Sequence, residues 1–151
     1  MRFYREQLRV PASYWLLAMP VVAILGAELF AGFSGLVAAV VYAVFILVVG
    51  GFLLAWGATR VEVTGTVLRA GGDVLPLSAI GEVQPLDEQQ AALLRGPKAD
   101  PAAHLLLRPY LKKAVYIGLA DPSDGVPYWL IGTRRPAELA AALTARGAIV
   151  G

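Results

Sequence analysis

The chain has 151 residues, 58% of them hydrophobic, with a formal charge of +2 and no cysteine. The missing cysteine excludes disulfides, thiolate chemistry and sulfur metal sites, and so small a charge gives no argument for a nucleic-acid partner. The length leaves room for a membrane anchor and one modest second domain.

Residues 1–10 form a basic flank, with Arg2, Arg5 and Arg9 against Glu6 alone. Two apolar runs follow, Ala12 to Phe33 and Leu36 to Ala58, broken only by Gly32-Phe33-Ser34-Gly35. Each is about as long as the ~20 residues a helix needs to cross ~30 Å of hydrocarbon. Residues 11–58 therefore read as a transmembrane helical hairpin. Positive charge flanks its open end, at Arg2, Arg5, Arg9 and Arg60, and none lies in its turn, which places both termini in the cytoplasm. Tyr14, Trp15 and Trp56 fall at the same inner headgroup level, where amphipathic rings settle. A cleaved signal peptide is the competing reading of the first run. The run is too long for one, contains Pro20, and leads at once into a second span.

Within the hairpin, Ala23 and Ala27 share one face of the first helix, and Gly35, Ala39 and Ala43 one face of the second. Small residues let helix backbones approach closely, so these are the candidate helix-packing positions, for the hairpin itself or for a second membrane protein or copy. Pro20 is expected to bend the first helix and Gly50-Gly51 to loosen the second. Glu28 is the one ionisable residue in either run, placed where its acid reaches the outer interface.

From residue 59 to 151 the pattern changes to short alternating runs. Thr59–Thr64, Val67–Ala70, Val74–Leu77 and Ser78–Val83 read as an antiparallel meander, with Pro76 marking an edge. Asp87 caps a short helix through Gln90 and Leu94 that Gly96-Pro97 stops. Strands return at Leu105–Arg108, Ala114–Leu119 and Pro127–Gly132, the last two separated by an Asp121–Gly125 turn. A terminal helix opens at Thr133 or Arg135 with Pro136 in its first turn. It carries Leu139, Ala142, Leu143 and Arg146 on one stripe and is expected to stop at Gly147. Seven antiparallel strands closed by one helix is the layout of a pleckstrin-homology-like (PH-like) barrel, and an α+β sandwich gives nearly the same string. The expected fold is a membrane α-helical hairpin followed by a mainly-β cytoplasmic domain of this kind.

The chemistry-bearing residues are sparse. His104 is the one histidine, and no nucleophile accompanies it in the pattern. Asp121 and Asp124 lack the further oxygen ligands of a calcium loop, and Gly71-Gly72 has no helix after it to form a phosphate loop. No catalytic residue, metal site or cofactor is assigned. The basic residues are more informative. Arg108, Lys112 and Lys113 surround one strand connection, and Arg134 and Arg135 precede the terminal helix. Together they are the candidate site for an anion, and beside a bilayer that anion is a phospholipid headgroup. Against this, ten basic residues from Arg60 onward face nine acidic ones, so the domain as a whole is barely positive. In the Tyr128-Trp129 pair one ring must face inward, and core packing beneath the terminal helix is the expected use of Trp129.

Tyr4-Arg5-Glu6, Leu77-Ser78-Ala79-Ile80-Gly81, Leu107-Arg108-Pro109, Asp121-Pro122 and above all Pro127 to Pro136 resemble an actinobacterial family of small membrane proteins described only as a domain of unknown function. The resemblance implies a plasma-membrane protein and no particular activity. Gly132 stands where that family commonly has serine, so a hydroxyl there is not needed for chemistry. The expected function is a non-enzymatic, membrane-anchored module whose partner is an anionic headgroup or a protein. The alternative is an accessory subunit that acts through its hairpin on an envelope-lipid or transport complex.

Overall fold

The computed structural model describes residues 2–33, 35–121 and 125–150. Ser34 of the interhelical turn and Pro122, Ser123 and Asp124 of the expected Asp121–Gly125 turn lie outside the described residues. Two compact units are present: Arg9–Thr59, and the segment up to Leu8 together with the chain from Arg60 onward.

The first unit is a pair of helices, α1 (Ala12–Gly32) and α2 (Gly35–Gly57), each long and apolar enough to cross a membrane by length and composition. Pro20 sits inside α1 without ending it, and α2 runs through Gly50-Gly51. The helices meet through a narrow set of side chains. Gly26 receives the Tyr42 ring so closely that a Cβ there would lie 2.7 Å from it. Phe30 meets the same ring edge-on at 6.3 Å, and Ala38 and Leu53 are buried. Ala23, Ala27, Gly35, Ala39 and Ala43 are all exposed, so the small-residue faces point away from the hairpin's own seam. At the seam a large ring is seated on one glycine instead.

Among the described residues the second unit holds eight strands. β1 (Arg2–Gln7), β2 (Arg60–Thr64), β3 (Val67–Ala70) and β4 (Asp73–Pro76) form one antiparallel sheet in that order. The β3–β4 turn needs Gly71, at φ +65°, as the left-handed first central residue of a two-residue hairpin. Pro76 lies on the edge strand, as expected. A 3-10 turn (Leu77–Ala79) leads to the second sheet, built from β5 (Ile80–Leu86), β6 (His104–Leu106), β7 (Ala114–Leu119) and β8 (Tyr128–Gly132) in the order β5-β7-β8-β6. Between β5 and β6, helix α3 (Glu88–Arg95) starts with the reciprocal capping box of Asp87 and Gln90. Helix α4 (Pro136–Val150) completes the unit.

Four expectations are corrected. Residues 2–7 are a strand paired with β2, from Arg2 opposite Thr64 to Gln7 opposite Arg60, rather than a separate basic flank. The sheets are not wholly antiparallel, because β6 runs parallel to β8 with Leu105 opposite Leu130. Among the described residues no strand pair joins the two sheets, so there is no closed barrel. Gly147 does not stop α4, since one interior glycine costs only about 1 kcal/mol against alanine.

The main core lies between the sheets and α4, with Val61, Val63 and Leu68 from one side, Val115, Ile117, Trp129 and Ile131 from the other, and Leu139 and Leu143 from the helix. Burying each of those two leucines contributes about 2 kcal/mol. α4 is thus held by its apolar stripe more than by its cap. Every residue of β8 is buried, since Tyr128 and Leu130 face a second cluster with Leu86, Ala114 and Ala91 of α3. Trp129 packs in the main core as expected, and Tyr128 is covered too.

Candidate anion-binding site

The connection from β6 to β7 is pinned at three points. The Arg95 guanidinium donates to the Leu111 carbonyl, the Leu111 N–H donates to the Arg108 carbonyl at 3.0 Å, and the Tyr110 hydroxyl donates to the Leu8 carbonyl at 2.7 Å. Burial lowers the Arg95 pKa from its ordinary value, against a smaller opposing pull from Glu88. Leu111 is fully buried, whereas Lys112 and Lys113 are exposed. The Lys113 carbonyl takes the Thr133 N–H at 3.1 Å, which brings the turn after β8 alongside.

The result is an open depression lined by Tyr110, Leu111, Lys112, Lys113, Thr133 and Arg134. The Arg134 guanidinium lies 5.9 Å from the Tyr110 ring centroid, within the range of a cation–π contact. Lys112 also pairs with Glu88 at 3.1 Å; between two exposed side chains such a pair contributes about 0–1 kcal/mol, little enough for a ligand to displace. Lys113 also lines a second depression with Pro85, Leu86, Asp87, Gln90, Pro136 and Ala137.

Three of the five basic candidates therefore converge, Lys112, Lys113 and Arg134. Arg108 does not line this depression, and its guanidinium turns to the Leu107 carbonyl at 3.1 Å. Arg135 is engaged elsewhere, donating to the Arg5 carbonyl at 3.2 Å and pairing with Glu138 at 3.0 Å. Its guanidinium lies 5.3 Å from the Tyr4 ring centroid.

Behind the depression lies a polar cluster that the sequence pattern did not single out. Glu6 is 6% exposed and Thr133 fully buried. Glu6 Oε2 accepts from the Tyr4 hydroxyl at 2.7 Å and from the Thr133 hydroxyl. Glu6 Oε1 accepts the Arg134 main-chain N–H at 3.0 Å. Thr133 Oγ1 accepts the Arg135 N–H at 3.0 Å. Burial pushes the Tyr4 phenol well above the usual tyrosine range, the Thr133 hydrogen bond opposes the shift, and the Glu6 hydrogen bond and charge add to it. One signal for this cluster was present in the sequence: Glu6 is the lone acid among the arginines of residues 1–10, on the same strand face as Tyr4.

His104 opens β6, stacked on Trp129 at 4.1 Å between ring centroids, with Nε2 3.3 Å from Asp73 Oδ2. Among the described residues, no group of three or more acidic or histidine side chains is placed to hold a metal ion. The Asp121–Asp124 pairing considered from sequence falls partly outside the described residues.

No curated protein and no solved structure matches the chain. A family model does match, over residues 3–143, which takes in β1, both apolar helices, both sheets, the basic depression and the Glu6 cluster; the chain belongs to the family of proteins of unknown function DUF3093.

Proposed function

We propose that this protein is a non-enzymatic module anchored in the plasma membrane by the α1–α2 hairpin, with both termini cytoplasmic and a two-sheet β unit that binds anionic phospholipid headgroups of the inner leaflet. The observation that carries the reading is the convergence of Lys112, Lys113 and Arg134 on one depression. Connectivity supports it. The chain leaves the β unit at Leu8, four residues before α1 begins, and returns at Arg60, three residues after α2 ends. At no more than ~3.6 Å per residue, neither link is long. A basic side chain near a bilayer contributes about 1 kcal/mol of attraction to anionic lipid. Arg2, Arg5, Arg9 and Arg60 favour the same, cytoplasmic side.

The test is lysine acylation of the full chain in nanodiscs, read by mass spectrometry. The chain has three lysines, and phosphatidylglycerol added to phosphatidylcholine is expected to protect Lys112 and Lys113 but not Lys98. Equal reactivity of all three in both lipids overturns the reading.

A second reading has its own observation. Ala23, Ala27, Gly35, Ala39 and Ala43 are exposed on the helix pair, as they would be if another transmembrane helix packed against them. On that reading the protein is an accessory subunit of an envelope-lipid or transport complex. Ala39→Leu with Ala43→Leu then abolishes recovery of the partner from native membranes, and on the first reading leaves headgroup binding intact.

A further inference from the structure

We propose that Glu6 is a positioning residue for the anion site, setting Arg134 in the depression from β1; the inference rests on the headgroup-binding reading above. Two anchors on Arg134 trace back to the start of the chain, one directly through Glu6 and one through Tyr110 to Leu8. Glu6 Oε1 holds its main-chain N–H at 3.0 Å, which sets the position of its Cα. The Tyr110 ring lies under its guanidinium at 5.9 Å from the centroid, and Tyr110 is itself fixed by its 2.7 Å bond to the Leu8 carbonyl.

Glu6 can hold this turn because the rest of its carboxylate is committed. The Tyr4 and Thr133 hydroxyls both donate to Oε2, and Thr133 in turn accepts from the Arg135 N–H. Arg135 donates to the Arg5 carbonyl and is thereby drawn toward β1. Two successive arginines thus take different roles from one buried acid. Arg135 closes the turn, and Arg134 is presented beside Lys112 and Lys113. An arginine side chain held in place loses less conformational freedom on meeting its ligand, so the same contact gives more affinity.

A structural role and a positioning role differ in one measurable way. If Glu6 acts through Arg134, removing both must cost no more than removing Arg134 alone; if it only supports the fold, the two losses multiply. The variant of choice is Glu6→Gln, which keeps the shape but offers an amide group where the carboxylate accepts three donors. Should it fail to accumulate, Glu6→Asp keeps the charge and withdraws it by one methylene, and serves the same comparison.

The experiment titrates glycerol phosphate, followed by 31P NMR, into the full chain in phosphatidylcholine nanodiscs, for wild type, Arg134→Ala, Glu6→Gln and the double variant. Losing one basic contact weakens binding about fivefold, and that loss is expected for Arg134→Ala, for Glu6→Gln and for the double variant alike. Undiminished binding by Glu6→Gln, or a loss near 25-fold in the double variant, overturns the positioning role while leaving the headgroup site standing. No binding by the wild-type chain overturns the headgroup site, and the positioning role with it.

Discussion

Glu6 and Arg134 are 128 positions apart in sequence and joined at 3.0 Å by a hydrogen bond from the Arg134 main chain to the Glu6 carboxylate. The first strand is thereby tied to the turn that opens the last helix. Glu6→Ala would leave two buried hydroxyls and one N–H without their acceptor. The expected loss is about 3 kcal/mol of stability of the β unit, read by denaturant unfolding of the detergent-solubilised chain. A loss below about 1 kcal/mol would mean that water replaces the carboxylate.

The same cluster makes stability depend on alkaline pH. The Tyr4 phenol is raised above its ordinary value, chiefly by burial, so the folded state retains a proton that the unfolded chain gives up near pH 10. This contribution is complete below about pH 10 and is lost as pH rises toward the folded value. Tyr116, raised by burial and then by the Glu82 charge and Tyr128, acts in the same direction. Unfolding followed from neutral to strongly alkaline pH is expected to steepen above about pH 10, and Tyr4→Phe to flatten that limb in part. An unchanged limb in Tyr4→Phe would assign the effect elsewhere.

In the hairpin, the seam predicts opposite responses from two kinds of small residue. Gly26→Val drives a side chain into the Tyr42 ring, which must swing away from Phe30. It is expected to cost about 1 kcal/mol or more of helix-pair stability. Ala39→Leu and Ala43→Leu enlarge exposed positions and should stay within about 0.5 kcal/mol. Unfolding in graded sodium dodecyl sulfate compares them directly, and equal losses would contradict the seam.

The absence of native cysteine makes the orientation easy to read. Gly32→Cys, at the hairpin turn, should react with an impermeant maleimide on intact cells. Gly72→Cys, in the β3–β4 turn, should react only after lysis. The reverse pattern would invert the proposed topology.

What the sequence made legible was local. The apolar runs match α1 and α2 to within a residue or two, because length and composition alone define such helices. Asp87 is the expected cap, and Pro76 the expected edge. The relations that escaped are between distant positions. β1 reads as a charged flank because its partner strand lies more than 50 residues downstream, across the whole hairpin. The parallel pairing of β6 with β8 left no pattern in so short a strand. At the candidate site, composition located five basic residues but not their directions. A buried acid draws the 134–135 turn to β1, and Arg135 is spent closing it.

The central claim is that recognition resides in the β unit and the hairpin is an anchor. It is tested most directly by replacing residues 11–58 with unrelated spanning helices of equal length and repeating the lysine acylation in phosphatidylglycerol nanodiscs. The account predicts that Lys112 and Lys113 remain protected relative to Lys98, as in the native chain. Loss of that protection in a chimaera whose β unit stays folded would place recognition in the native hairpin and contradict the account.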